Sequence, residues 1–316
     1  MRRLRKPETN YYTEIEEKVQ ILCANPKLHE QREDIIHDFK EAVQDIMDWK
    51  AHMKNLDDQT VFIIMDWAMK FQQKRYREKQ SQWFAKRGIS WHVTSVVSKE
   101  GDETAVKSYV HLLDDCSQDW YSVVSLLENV LQCIHDENPQ ITQAYLRSDE
   151  AGCYHSNMLI AACHDVSETT GVTLLAYHFS EPQQGKDLCD RLICPMKSAM
   201  NKYCNEGNNI LSSKDMFKAL KQKHVKGTTA AAAKINGSQN TLEIKNIDKF
   251  SKLHNFAFED DGIRVWRAHR VGKGKVIPDA SIFVNHQGPS SLEIVDDCAF
   301  FENECRKQLK GNTESV

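Results

Sequence analysis

Five consecutive apolar residues, Val61 to Met65, run directly into Asp66. A continuous apolar run of this length is what a strand buried on both faces requires. A carboxylate at its end is costly unless a cap, an ion pair or a cation compensates it. This juxtaposition demands a sheet covered on both sides and makes Asp66 the residue to explain.

The following segments predict how that sheet is built. Residues 89–98 alternate, with Ile89, Trp91, Val93 and Val97 on one side and Ser90, His92, Thr94 and Ser98 on the other, the pattern of a half-buried strand. Residues 104–113 alternate more loosely, and Gly101 and Asp102 between the two suit a hairpin turn. Trp120, Val123, Leu127, Val130 and Ile134 keep helical spacing over 118–135. A strand over 141–149, a helix over 154–169 stopped by Gly171 and a strand over 172–179 come next. A last helix over 185–203 contains Pro195, which should kink it or loosen one turn. Three tightly linked strands should be antiparallel, and strands alternating with helices should be parallel to the first. The expected fold class is α/β: a mixed sheet of three antiparallel strands, then alternating helices and parallel strands, flanked by helices.

This core spans 59–210. Residues 11–56 read as helix, which makes 1–58 a helical N-terminal segment. Beyond 210 the pattern weakens, and "GTTAAAAKINGSQN" (227–240) reads as a linker or loop within a C-terminal extension, 211–316, whose tail should fray.

No apolar stretch approaches the length of a membrane span. The basic N-terminus, "MRRLRKPETN", is followed by no apolar region, so the reading is an intracellular protein. Ten cysteines are scattered without a C-x-x-C pair, as in a chain of reduced thiols rather than a zinc module. The net charge of −4 argues against a dedicated nucleic-acid binder. Yet basic residues crowd two places. Lys70, Lys74, Arg75, Arg77 and Lys79 follow Asp66, with Trp83 and Trp91 nearby to stack bases. Arg264, Arg267, Arg270, Lys273 and Lys275 surround Trp266. Each set suits phosphate contacts, and each equally suits a solvated surface segment. The "GKGK" at 272–275 lacks the frame of a phosphate-binding P-loop, and no nucleophile-elbow or dinucleotide fingerprint is present.

Two of the predicted strands end in aspartate, Asp66 and Asp149. As parallel neighbours their C-terminal ends would lie side by side, at the edge where open α/β sheets place their chemistry. Asp187 and Asp190, three apart, share one face of the last helix and bring a further carboxylate to the same place. Converging carboxylates repel unless a cation separates them, and their hard oxygens suit Mg²⁺ or Mn²⁺. Two such ions promote phosphodiester cleavage or strand transfer. The same acids also serve as turn formers and helix-dipole partners. Cys153, His155 and Cys189 flank them and read first as core thiols and a residue at a helix start.

The strings "DWAMKF" (66–71), "YREKQSQWFAKRGISWH" (76–92), "SDEAGCYH" (148–155) and "FSEPQQGKDLCDR" (179–191) occur in the order found in transposon-derived proteins of animal genomes. "DWKAH" (48–52) and "DDGIRVWRAHRVGKGK" (260–275) extend the likeness over most of 35–280. The chain resembles that group, in which a ribonuclease H-like, transposase-type core is often fused to C2H2 zinc fingers. The resemblance implies Asp66 and Asp149 as the first and second catalytic, metal-holding acids and Asp190 as the third, with Asp187 and Glu181 as lesser candidates for that place. It implies Mg²⁺ or Mn²⁺ as cofactor, DNA as partner and the nucleus as location. The chain departs from the group in showing no zinc finger and in carrying Pro195 in its last core helix. A catalytically inactive, domesticated module for nucleic-acid or protein interaction on the same fold is the alternative. Oligomeric state is left open.

Overall fold

The computed structural model describes residues 56–84, 86–101, 103–180, 188–236, 242–267, 273–285, 292–301 and 306–307. The helix expected over 11–56, up to residue 55, Asp102 of the hairpin turn, Glu181, Asp187 and Arg270 lie outside them.

Three long strands open the fold: β1 (Thr60–Phe71), β2 (Ile89–Glu100) and β3 (Glu103–Leu113). Helix α1 (Trp120–Glu137), strand β4 (Gln143–Ser148), helix α2 (Asn157–Thr170), strand β5 (Thr173–Phe179) and helices α3 (Leu188–Asn205) and α4 (Ser213–Gln222) follow. The remaining strands are β6 (Thr228–Ile235), β7 (Glu243–Ile244), β8 (Asn255–Glu259), β9 (Gly262–Trp266), β10 (Lys275–Ile277), β11 (Phe283–Asn285), β12 (Leu292–Ile294) and β13 (Arg306–Lys307). The main sheet has the order β10-β9-β8-β5-β4-β1-β2-β3-β6-β12, with β13 on β3, while β7 and β11 pair apart. β1, β2 and β3 are antiparallel neighbours, and β4 and β5 run parallel to β1. That inner order, 5-4-1-2-3, is the ribonuclease H-like arrangement.

Each element forms for a local reason. Asp119 caps α1 by accepting a 2.9 Å hydrogen bond from Ser122 N, after which Val123, Leu127, Val130, Leu131 and Ile134 form a buried stripe. Gly171 ends α2 in the left-handed conformation. Alternation along β1 sends Val61, Ile63 and Met65 into the core shared with α1 and α2. It turns Phe62, Ile64 and Asp66 to the other face, where α3 packs: Cys189 Sγ lies 3.4 Å from the Ile64 carbonyl oxygen.

Several sequence expectations need correction. β1 continues to Phe71, because Trp67, Ala68 and Phe71 still pair with His92, Trp91 and Ile89. β2 is buried on both faces, polar side included, since helices cover the sheet on each side. The presumed linker contains β6: Ala230 to Ala233 are buried between β3 and β12, and their small side chains leave room for the layers above them. Alanine carries little strand signal, which hid it. α3 runs through Pro195 without a break. The carbonyl of Arg191, which loses its helical partner there, is on the exposed face.

Candidate metal centre and nucleic-acid interface

The pairing register locates the acids. β1 and β4 pair from Thr60 with Gln143 to Ile64 with Arg147. The pairing stops there, with Asp66 two residues further along β1 and Asp149 two residues beyond Arg147, so both acids follow the paired segment at the same end of the sheet. Asp66 is half-buried inside β1, and Asp149 is exposed just past the end of β4. Asp149 Oδ1 accepts a 3.1 Å hydrogen bond from Ala151 N, the turn-forming role also expected of it. Both charges act on one buried group. Burial first, then Asp66, with Asp149 also contributing, holds the Tyr154 phenol well above its usual range. Burial and then Asp149 push the Cys153 thiol up to about 11.

Asp190 is exposed in the first turn of α3. Its neighbour Cys189 is buried against β1 and β2, with Sγ 3.5 Å from Val93 O and 3.4 Å from Ser95 Oγ. The helix start is therefore fastened over the strand that carries Asp66. Among the described residues, three ligand atoms lie within 4.8 Å of one another at His164, Asp165 and Glu168 on α2, and the three aspartates do not form such a set. The α2 trio is a sequence-local arrangement on a helix surface, with His164 3.9 Å from Glu168 one turn on.

Sequence reasoning missed the polar groups around this edge. Glu150 pairs with His254 Nδ1, joining the segment after β4 to the start of β8. His155 stacks on Phe250 and donates from Nε2 to Leu253 O at 2.8 Å, so it is a packing residue. Trp67 Nε1, His92 Nε2 and Tyr154 Oη are buried without a hydrogen-bond partner among the described residues. Long-range pairs of this kind leave no local signal, although two charged or aromatic residues beside each strand end were visible.

A row of paired residues crosses the sheet: Ile64, Arg147, His178, Asn255 and Trp266. Trp266, at the end of β9, thus lies toward the same edge as Asp66, four strands or about 19 Å away. Of the cations expected to meet nucleic acid there, Arg267, Lys273 and Lys275 are exposed. Arg264 instead grips Glu259 at 2.6 and 2.8 Å and donates to Lys273 O at 3.1 Å. Trp266 packs against Gly274, where a Cβ would come within 2.6 Å of the indole. On the other flank Lys70, Arg75 and Arg77 are exposed, while Lys74 Nζ donates to Asn201 at 2.5 Å. Trp91 is fully buried and donates to Met69 O at 2.9 Å, which removes it as a stacking residue.

No helix among the described residues is long and apolar enough to cross a membrane. No curated protein matches the chain. Among solved structures, it is similar to the Mn-soaked human cytomegalovirus terminase nuclease domain (10% identity, 48% of this chain and 60% of that one, TM-score 0.26). It is also similar to the Mos1 transposase paired-end complex with left transposon end (11% identity, 70% and 73%, TM-score 0.32). A third is a pre-cleavage Mos1 transpososome (12% identity, 58% and 53%, TM-score 0.33). The matched region spans less than two thirds of the terminase domain. The fold assignment rests on strand order rather than on these scores. Residues 48–263 match one family in sequence, and the chain belongs to it: the family described as domain of unknown function DUF8701.

Proposed function

We propose that the sheet edge at Asp66 is a divalent-metal centre for phosphodiester cleavage or strand transfer on DNA. The observation that supports this is the parallel β1–β4 pairing up to Ile64 and Arg147, which brings the segments carrying Asp66 and Asp149 toward one edge of the sheet. The donors fit the ion: hard carboxylate oxygens, one of them half-buried just after the apolar run of β1, with both charges felt by the same buried phenol. Asp66 and Asp149 would hold Mg²⁺ or Mn²⁺, and Asp190, at the start of a helix fastened over β1, would complete the set. A bound pair of ions would supply water activation and neutralisation of the leaving oxygen. The chain itself would orient the polyanion through exposed cations on either side of the edge, Lys70, Arg75 and Arg77 on one flank and Arg267, Lys273 and Lys275 on the other. Action on DNA would place the protein in the nucleus.

The test is nicking of supercoiled DNA with Mg²⁺ or Mn²⁺. Wild type should nick, and Asp66→Asn and Asp149→Asn should each lose at least about 100-fold while keeping their circular dichroism. Equal trace activity in wild type and the double variant would refute the reading. A second reading, a non-catalytic interaction module on the same fold, is favoured by the failure of the three aspartates to gather within 4.8 Å. It predicts DNA binding that depends on the cations, is indifferent to the aspartates, and is never followed by cleavage.

A further inference from the structure

Large apolar side chains on a soluble surface mark binding sites when they gather in one place. Among the described residues the large exposed ones are Met69, Tyr76, Trp83 and Phe84, all in the end of β1 and the loop to β2, with Trp83 67% and Phe84 78% exposed. This loop is not slack. Lys74 and Ile210 exchange backbone hydrogen bonds of 2.8 Å, Gln73 Nε2 donates to Leu211 O at 2.7 Å, and Tyr76 N donates to Asn209 at 2.8 Å. Its base is therefore tied to the α3–α4 connection. A short turn, with Gln82 N bonded to Lys79 O at 2.9 Å, then carries Trp83 and Phe84 outward. Arg77 holds a left-handed φ of 52°, a strain that a side chain tolerates only where its surroundings enforce it.

The charge of the loop says what fits it. Residues 70–87 contain seven basic residues and one acid in a chain of net charge −4. That acid, Glu78, is neutralised internally by Lys86 at 2.6 Å. Lys86, paired with Glu78, lies 5.1 Å over one face of Trp83. Exposed Arg77 lies 5.2 Å over the Tyr76 ring, with exposed Arg75 and Lys79 in the same loop, so rings and free cations share one surface. Rings presented with cations beside them match a polyanion whose bases have free faces. In a duplex those faces are already stacked, whereas unpaired bases offer them.

We infer that the β1–β2 loop is a stacking platform for unpaired bases. On the function proposed above, on which this second half rests, the preferred substrate then carries a single-stranded stretch beside the scissile bond. Lys70, where the loop's basic run begins, is four residues along β1 from Asp66, about 13 Å.

The test is fluorescence anisotropy with a labelled oligothymidylate of about 20 nucleotides and a duplex of equal length, in chelator so that no metal contributes. Wild type should prefer the single strand. Trp83→Ala/Phe84→Ala should lose roughly 10- to 100-fold on the single strand and less than about twofold on the duplex, and Trp83→Phe should retain most binding. Both changed side chains are exposed, so circular dichroism should not move. Equal loss on both probes, or no loss, would overturn the inference. So would a variant that alters only self-association or binding to anionic vesicles, which would mean a protein or membrane partner. Chelated binding does not need the aspartates. Binding without nicking would sink only the metal reading, and nicking without single-strand preference would sink only this one.

Discussion

Two segments of this chain look alike in sequence and differ in structure. Residues 70–87 and 264–275 are both rich in cations around a tryptophan. In the β9–β10 hairpin one cation and the ring are engaged internally, Arg264 locked on Glu259 and Trp266 covering Gly274, while Arg267, Lys273 and Lys275 stay exposed. In the β1–β2 loop the backbone is tied down by bonds at its base, and the rings and most cations are left outward. A cluster of basic letters therefore measures what a segment can offer; whether the offer is already taken depends on which acids the turns and strands set against it. Glu259 reaches Arg264 across the β8–β9 turn.

The difference can be broken most forcefully through the hairpin's backbone. Gly262 has φ 145°, and a Cβ there would fall 2.2 Å from Ile277 O. Gly262→Ala should cost about 3 kcal/mol in chemical denaturation. Trp83→Ala in the loop should stay within about 0.5 kcal/mol. Similar costs would mean that the two segments are built alike.

A third set of basic groups, inside the sheet, sharpens the contrast. His92 and His111 face each other across β2 and β3 and are fully buried. Burial, and then the neighbouring His111, keeps the His92 imidazole well below its usual range. Burial lowers His111 to about 4, against a bond to Asn129 that opposes the shift. Both are neutral in the folded state and take up protons on unfolding. Their contribution is complete above about pH 6.5 and is lost as pH falls toward 4, by roughly 3 kcal/mol for His111. Denaturation midpoints measured across that window should fall with acid, and His111→Gln should flatten the slope. The exposed cations of either edge segment should leave it unchanged.

DNA affinity gives a subtler separation. Arg75→Ala/Arg77→Ala should weaken binding and reduce the salt dependence by about 0.7 in slope per charge on single strands. Arg264→Ala should leave that slope alone, because its guanidinium already has a partner, and should shift the melting temperature little. A slope that changes with Arg264 would reverse the assignment of the two segments.

The inner fold was legible because its signals are local. The apolar run of β1, the alternation of β2 and the spacing of α1 each report their own surroundings. What escaped depends on partners far away in sequence. β8, β9 and β10 join the β5 edge, and β6 is an alanine strand made possible by close layers. The sequence offers Trp91 as a stacking ring, although alternation sets it on the apolar side with Ile89 and Val93, where the structure buries it. For the candidate site, Asp66 stood out because acid ended a buried run, and Asp149 because a second strand ended likewise. That the segments carrying them share one end of the sheet needed the β1–β4 pairing, and the Glu150–His254 pair needed the fold.

The central claim is that Asp66 and Asp149 share a divalent cation. Calorimetric titration of the full chain with Mn²⁺ tests it most directly. Wild type should bind. Asp66→Asn and Asp149→Asn should each lose at least about tenfold, with the double variant losing little more than either, as expected for two ligands of one ion. His164→Ala, which removes a ligand from the α2 trio, should bind as wild type does. Undiminished Mn²⁺ affinity in the Asp66→Asn/Asp149→Asn variant, or its loss in His164→Ala alone, would contradict the account.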